Sequence, residues 1–281
     1  MKKIYLIIAL LISCYAGFAQ DSLRSKSYLL NNKTHSFTLY GCELFDGYLS
    51  PLYYSGLGVQ FKQDVRRVWS EKLSNLSMQN SYTVNLMLTL NPAYTANMFY
   101  LNFEYDWGMY YHLVAKKNLT FLLGGTVTPE IGGRLLPRNT NNIGNLDFGA
   151  SINVATQMRW KIPTKKRVLE LNVSFSMPVI GFAFAPQLGA SYYEIFYLKN
   201  QNDIFHFTFF HNKYGFKRSY TLDIPFKNSV FRVGIQRNLL KYSLHGVFYK
   251  RKYGGIILGW QKNLFSFAGR KNKAPDRFIQ Y

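Results

Sequence analysis

The sequence predicts an all-β fold, a transmembrane antiparallel up-and-down β-barrel of about twelve strands within a range of ten to fourteen, and three observations carry that prediction. Apolar residues alternate with small or polar ones at period two in segment after segment. Bulky aromatic and aliphatic residues take one face while glycine, serine and charge take the other, the sidedness of a wall with lipid outside and a polar lumen inside. After the first 20 residues no stretch approaches the ~20 continuous apolar residues of a spanning helix, so a membrane could be crossed only by strands. Closure then follows, because hydrocarbon offers no partner to an unpaired backbone N–H or C=O.

The chain opens with Lys2 and Lys3 before an apolar run from Ile4 to Ile12, and Gly17 and Ala19 supply small residues near a cleavage point. This reads as a signal peptide over residues 1–19, with export to the envelope of a Gram-negative bacterium and a mature start near Gln20 or Asp21. Leu11-Ile12-Ser13-Cys14 also fits a lipoprotein signal in which Cys14 is acylated. In either case Cys42 is left without an intramolecular disulfide partner. Turn-rich punctuation runs evenly through residues 20–262, which read as one outer-membrane barrel, and 263–281 form a basic C-terminal tail.

Strands are expected at 36–45, 55–68, 76–90, 97–113, 118–128, 143–160, 167–177, 203–211, 217–225, 229–238, 241–250 and 253–262. Residues 146–160 show the code most clearly: Leu146, Phe148, Ala150, Ile152, Val154, Met158 and Trp160 oppose Asp147, Gly149, Ser151, Asn153, Ala155, Gln157 and Arg159. Fewer residues, ~10, suffice for a tilted strand to cross hydrocarbon. The same alternation places Leu86 against Asn85, Phe103 against Glu104, Leu171 against Glu170, Leu222 against Asp223 and Phe231 against Arg232.

An even strand count puts both termini on the periplasmic side, with short turns inside and longer loops outside. Residues 115–118 and 161–167 read as turns and 129–142 and 178–202 as long loops, while the short Pro225–Ser229 connection falls where an outer loop is expected. Tyr48, Tyr53, Tyr54, Tyr94, Trp107, Tyr110, Tyr111, Trp160 and Trp260 recur near strand ends and suit interfacial girdles, with aromatic packing inside loops the other reading for Tyr53 and Tyr54. The segment Tyr253–Lys262 loosely resembles a strand signal read by barrel-assembly machinery.

Lys and Arg number 34 against 14 Asp and Glu, a net charge of +20, or +18 without Lys2 and Lys3. Export argues against nucleic acid as the partner. The anions within reach are outer-membrane lipids, lipopolysaccharide phosphates or an acidic small solute, unless the cations simply solubilise loops and turns.

No phosphate loop, no metal-ligand spacing and no nucleophile elbow stands in the sequence, and no cofactor motif does either. The nearest catalytic arrangement is His211 with a hydroxyl such as Ser219 from the following strand, which would suit a lipid-modifying barrel enzyme of lipase or lipid A deacylase type. Alternation turns Glu104, Asp106, Asp147, Arg159, Glu170, His206, Asp223 and Arg232 into the lumen. There they either pair across a narrow barrel and plug it or line a wider one and tune ion selectivity. Between 178 and 202, Pro178, Gly181, Pro186 and Gly189 break strand structure while Phe182, Phe184, Tyr192, Tyr193, Ile195 and Phe196 crowd around Glu194. This segment is expected to fold into the barrel mouth as a constriction or pocket through Tyr192, Tyr193, Glu194 and Phe196, unless extra strands are hidden in it.

The runs Tyr48-Leu49-Ser50-Pro51-Leu52, Ser55-Gly56, Gly189-Ala190-Ser191-Tyr192-Tyr193-Glu194-Ile195-Phe196 and Phe210-His211-Asn212 resemble an uncharacterised envelope-protein family of Bacteroides-type bacteria, with a departure at Tyr53. The resemblance implies an envelope location and no catalytic residues. The reading at this point is a small channel or binding scaffold closed at its mouth by 178–202, with the lipid-modifying enzyme as the alternative.

Overall fold

The computed structural model describes residues 27–29, 31–264 except 71, 117, 166, 200–203 and 227–228, and 277–279. The expected signal peptide, Cys14 and most of the basic tail lie outside the described residues. In chain order the strands are β1 (Ser27–Leu29), β2 (Asn31–Asp46), β3 (Tyr53–Val68), β4 (Leu76–Leu90), β5 (Asn97–Ala115), β6 (Leu119–Leu135), β7 (Gly144–Pro163), β8 (Val168–Phe184), β9 (Phe205–Phe209), β10 (Lys213–Pro225), β11 (Val230–Leu244), β12 (Val247–Leu264) and β13 (Arg277–Ile279). A one-turn helix, α1 (Tyr192–Phe196), precedes β9. β1 and β13 pair in parallel.

β2 to β8 and β10 to β12 run antiparallel to their neighbours, β12 pairs with β2, and β10 pairs with the lower part of β8. The sheet therefore closes on itself as a ring of ten strands. β9 adds only to the upper end of β8, through Phe205–Phe209 against Ile180–Phe184. Closure satisfies the backbone groups that an open edge would leave unpaired in hydrocarbon.

Ten ring strands replace the expected twelve for two reasons. The segments read as 229–238, 241–250 and 253–262 are two long strands joined by a tight turn at His245 and Gly246, both at positive φ. The segment read as 203–211 is β9, which crosses nothing. Counting β9 as a crossing reversed the direction assigned to 217–225, so Pro225–Ser229 is in fact a short turn at the end that holds the β2 start and the β12 end. The false split further on restored the parity, and both ends of the barrel wall do lie on one side.

The expected loops are also shorter than read. β6 continues through Pro129 to Leu135, and β8 continues past Pro178, whose missing N–H is accommodated at a register shift beside Asn153. The long connection is 185–212, with α1 and β9 inside it. Strands of 16 residues such as β2 and β3 extend about 53 Å at ~3.3 Å per residue and rise about 40 Å at the ~40° tilt of such barrels. That exceeds the ~30 Å of hydrocarbon, so the wall protrudes from it.

The outward face is apolar, with Leu39, Leu57, Leu88, Phe103, Ile131 and Ile256 among many exposed large side chains. The loop-end part of the inside is filled. Near the loop end Tyr40, Leu44, Tyr48, Tyr54, Met98, Tyr100 and Tyr253 form one buried cluster, and the free thiol of Cys42 is buried in it. Tyr48, Tyr54 and Tyr110 thus point inward instead of joining an interfacial girdle, whereas Tyr53, Tyr94, Trp107, Tyr111, Trp160 and Trp260 are exposed. Room for these rings comes from glycine: a Cβ on Gly58 would stand 2.3 Å from Tyr40 Cε2 and 2.7 Å from the Leu86 carbonyl oxygen.

Candidate functional site

The inward parity of the strands gathers buried charge into a chain that runs down the lumen from the loop end. Asp46, at the last position of β2, is fully buried; its Oδ2 lies 3.0 Å from Arg134 Nε of β6 and accepts from Asn145 Nδ2 at 2.9 Å, and its Oδ1 accepts from the Tyr48 N–H at 3.0 Å. Arg134 is also fully buried, with its guanidinium 4.2 Å over the Tyr249 ring and Nη1 3.9 Å from Asp147 Oδ2. Tyr100 donates to Asp147 at 3.2 Å and receives a hydrogen bond from Arg251 Nη1. Arg251 Nη2 reaches Glu104 Oε1 at 3.2 Å, and Lys217 Nζ donates to Glu104 Oε2 while standing 3.9 Å from Asp106. Thr128 closes the chain by donating to Asp106.

Glu104 belongs to β5, while Lys217 and Arg251 belong to β10 and β12. Around a ring of ten these strands are four places from β5. The Lys217–Glu104–Arg251 contacts therefore cross the lumen instead of running along its wall. Of the two expected outcomes for the inward charges, the structure shows pairing across a narrow barrel. A carboxylate buried with two cations resists separation, because removing one partner strands an uncompensated charge.

Below this crossing a polar chamber of about 140 Å³ remains, lined by Lys62, Asp64, Gln79, Gln157, Arg159 and Arg232, among others. Asp64 accepts from Gln79 and Ser81 at 2.6 Å each and pairs with Arg66 at 2.6 Å; Gln157 donates to Gln79 at 2.6 Å. On the opposite wall Arg232 grips Asp223 through two bonds of 2.7 Å, which Asn172 supports at 2.9 Å.

The mouth is covered by the segment before β9. Ser191 caps α1 by accepting from the Glu194 N–H, and the Glu194 carboxylate accepts from the Ser191 N–H, a reciprocal capping box. That cap orients the helix so that Ile195 is buried and Tyr192 packs on the aromatic cluster, edge-on to Tyr48 and stacked with Phe196. The Tyr192 hydroxyl donates to Asn145 Oδ1 at 2.9 Å and accepts from the Leu146 N–H at 2.6 Å; Tyr48 donates to the Ala190 carbonyl at 2.6 Å. Burial lifts the Tyr192 hydroxyl pKa to about 12 and raises that of Tyr48 as well.

Of the residues singled out from sequence, Glu104, Asp106 and Asp147 join the chain of charges, and Arg159, Asp223 and Arg232 stand around the lower lumen. Glu170 sits near the terminus end, directly opposite Asp223 on β10 and Lys161 on β7. His206 lies on β9, 3.2 Å from the Ala185 carbonyl and edge-on to His245. Tyr192 and Glu194 build the cover as described, while Tyr193 and Phe196 are more than half exposed on its outer side.

His211 is exposed in the turn after β9 against Phe209, and Ser219 lies farther down β10, where its hydroxyl is 2.6 Å from that of Ser174. The structure does not bring the two together, because β10 carries Ser219 into the lumen. Among the described residues no group of three His, Cys, Asp or Glu side chains could hold a metal ion.

Sequence reasoning missed Asp46, Arg134, Lys217 and Arg251. Lys217 shares β10 and its inward parity with Asp223, which was found. Asp46 lay one residue beyond its expected strand, Arg134 in a segment read as loop, and Arg251 in the supposed gap between two strands.

A closed ten-stranded antiparallel ring with an apolar outer face and a charge-filled lumen defines a transmembrane β-barrel. Within that class the chain belongs to the family described as "Protein of unknown function (DUF3316)", whose model matches residues 4–271. No curated protein matches it in sequence. Among solved structures it is similar to the outer membrane protease OmpT from Escherichia coli, at 10% identity over 87% of this chain and 99% of that one, with a TM-score of 0.57. A fainter likeness, TM-score 0.42 and 9% identity, joins it to the translocator domain of the autotransporter NalP from Neisseria meningitidis, covering 92% and 95% of the two chains. At these identities the likeness is one of fold.

Proposed function

We propose that this protein is a non-enzymatic outer-membrane scaffold, exported behind a cleaved signal peptide, whose mouth is sealed and whose lower chamber takes a small polar solute. The sequence runs around Tyr48–Leu52 and Gly189–Phe196 support an envelope protein of Bacteroides-type bacteria. Assembly machinery and the lipids of the membrane are its expected partners.

The observation that carries this reading is the Lys217–Glu104–Arg251 crossing beneath the α1 cover. Two seals in series make a free-diffusion channel a poor fit. A lipid-modifying activity lacks support, since His211 has no serine or carboxylate hydrogen-bonded to it among the described residues.

Planar-bilayer recording of the refolded mature chain tests the proposal. No unitary conductance is expected, and none after deletion of 186–199, because the charge crossing remains below the removed cover. Regular current steps from the intact protein would establish a channel instead.

A further inference from the structure

Inside the barrel cations and carboxylates are nearly matched, so the basic excess lies elsewhere, and one part of it is placed where solubility does not require it. Arg218 on β10, Arg237 and Lys241 on β11, and Lys250 and Lys252 on β12 all have outward parity on three adjacent strands. Their neighbours in sequence, Asn238, Leu240, Tyr242, Arg251 and Tyr253, are the buried inward residues. On β3 to β8 the outward positions of the loop-end half carry no charge. The cations are thus a local patch and not a collar.

Their height is set by β12. Between Lys252 and Lys262, both outward and exposed, lie nine residues whose outward members are Gly254, Ile256, Leu258 and Trp260. A tilted strand needs ~9–11 residues to cross hydrocarbon, so Lys252 stands at the loop-end headgroup level and Lys262 at the other. One row below Lys252, beside Gly254, Arg218 is directly opposite Arg237, and one row above it Lys241 is directly opposite Lys250.

Like charges directly opposite each other across two strands repel. Here the repulsion is left standing between Arg218 and Arg237, whereas Lys250, opposite Lys241, is paired at 2.6 Å with Glu43, which also stands directly opposite Lys252 and is the one carboxylate in ion-pair contact with the patch among the described residues. Beside Arg237 are the paired glycines Gly41 and Gly254: the Arg237 side chain lies over Gly254, where a Cβ would stand 3.1 Å from its Cγ, and a Cβ on Gly41 would meet nothing within 4 Å. Below the cations, Ile235, Ile256 and Leu39 form an exposed apolar row.

We infer that this patch is a binding site for a multiply phosphorylated lipid of the loop-end leaflet. Its phosphates would sit among Arg218, Arg237 and Lys252 beside the paired glycines, with its acyl chains on Ile235, Ile256 and Leu39. Guanidinium forks suit phosphate oxygens, and a ligand with more than one phosphate meets the opposed Arg218 and Arg237 and reaches Lys252 as well. The inference rests on the barrel standing in a bilayer, which forms part of the proposed function, and it names a lipid that the scaffold reading leaves open.

The test uses the refolded mature chain in zwitterionic detergent, with bisphosphorylated lipid A as the probe and phosphatidylcholine and inorganic pyrophosphate as comparisons. Retention is read by native mass spectrometry, and the folded state by heat-modifiable gel migration. Lipid A should be retained. An Arg218→Ser/Arg237→Ser/Lys252→Ser variant should bind it roughly a hundredfold more weakly, at about fivefold for each cation removed near a lipid surface. A Lys33→Ser/Lys262→Ser variant at the opposite boundary should bind as the wild type does.

Undiminished lipid A retention by the triple variant, equal retention of phosphatidylcholine, or equal displacement by pyrophosphate would each overturn the inference. Heat-modifiable migration with no lipid A retention would also overturn it while leaving the barrel reading intact. Failure of the wild-type chain to insert into vesicles of any composition would overturn both.

Discussion

Replacing Arg134 by Met tests whether the buried charges hold the mouth of the barrel together. The substitution keeps much of the side-chain volume and removes the cation 3.0 Å from Asp46, a carboxylate with no exposure to solvent. It also removes the cation over the Tyr249 ring. Among the described residues Asp46 then keeps the Asn145 amide and the Tyr48 N–H as the donors to its side chain. Stranding one member of a buried pair costs about 3–5 kcal/mol. At a urea dependence of about 2 kcal/mol/M that lowers the unfolding midpoint by roughly 2 M. Tryptophan fluorescence during urea titration in lipid vesicles measures it, with gel mobility before heating as a second probe. The reasoning requires coupling: Asp46→Asn in the Arg134→Met background should restore about 1 kcal/mol or more, since the neutral amide no longer needs the cation. If the double variant loses the sum of the two single losses to within about 0.5 kcal/mol, the pair is not acting as a pair.

Gly58→Ala should cost about 1–3 kcal/mol through overpacking, because Tyr40 and the Leu86 carbonyl already occupy the space; a midpoint unchanged in the same titration would show that the ring can move. With its pKa raised from 10 to about 12, Tyr192 stays neutral longer in the folded mouth than in an undocked loop. Docking is therefore at full strength below pH 10 and is lost as pH rises through about 12, and protease cleavage within 185–204 across that window should increase, with Tyr192→Phe lacking the step. His211→Ala should leave lipid A and phospholipid profiles of a host membrane unchanged; an altered profile would revive the enzyme reading. Cys42 should resist a bulky thiol reagent until the barrel unfolds, in line with its burial.

The barrel was legible because period two is a local property: the inward and outward sets of 146–160 can be read without knowing any partner. What failed was continuity. Pro129 and Pro178 look like strand breakers in sequence, yet a bulge and a long register absorb them. The turn at His245 and Gly246 is only two residues long, so its signal was lost among glycines and lysines on either side. Glu104, Asp147 and Asp223 could be assigned to the lumen one by one, but that Glu104 meets Lys217 and Arg251 depends on which strands face each other across the ring. That is set by strand number and stagger, the two quantities that period two does not encode.

β8 is shared between two partners: its lower half pairs with β10 from Glu170 to Ser176, and its upper end pairs with β9 from Ile180 to Phe184. The first four residues of β10, Lys213 to Phe216, consequently have no ladder on that side, and no ladder joins β9 to β10 among the described residues. This fork is a break in the ladders of the wall. Amide exchange should begin there, and lateral parting of β9 from β10 would uncover Lys213 without breaking a single rung of the remaining ladders.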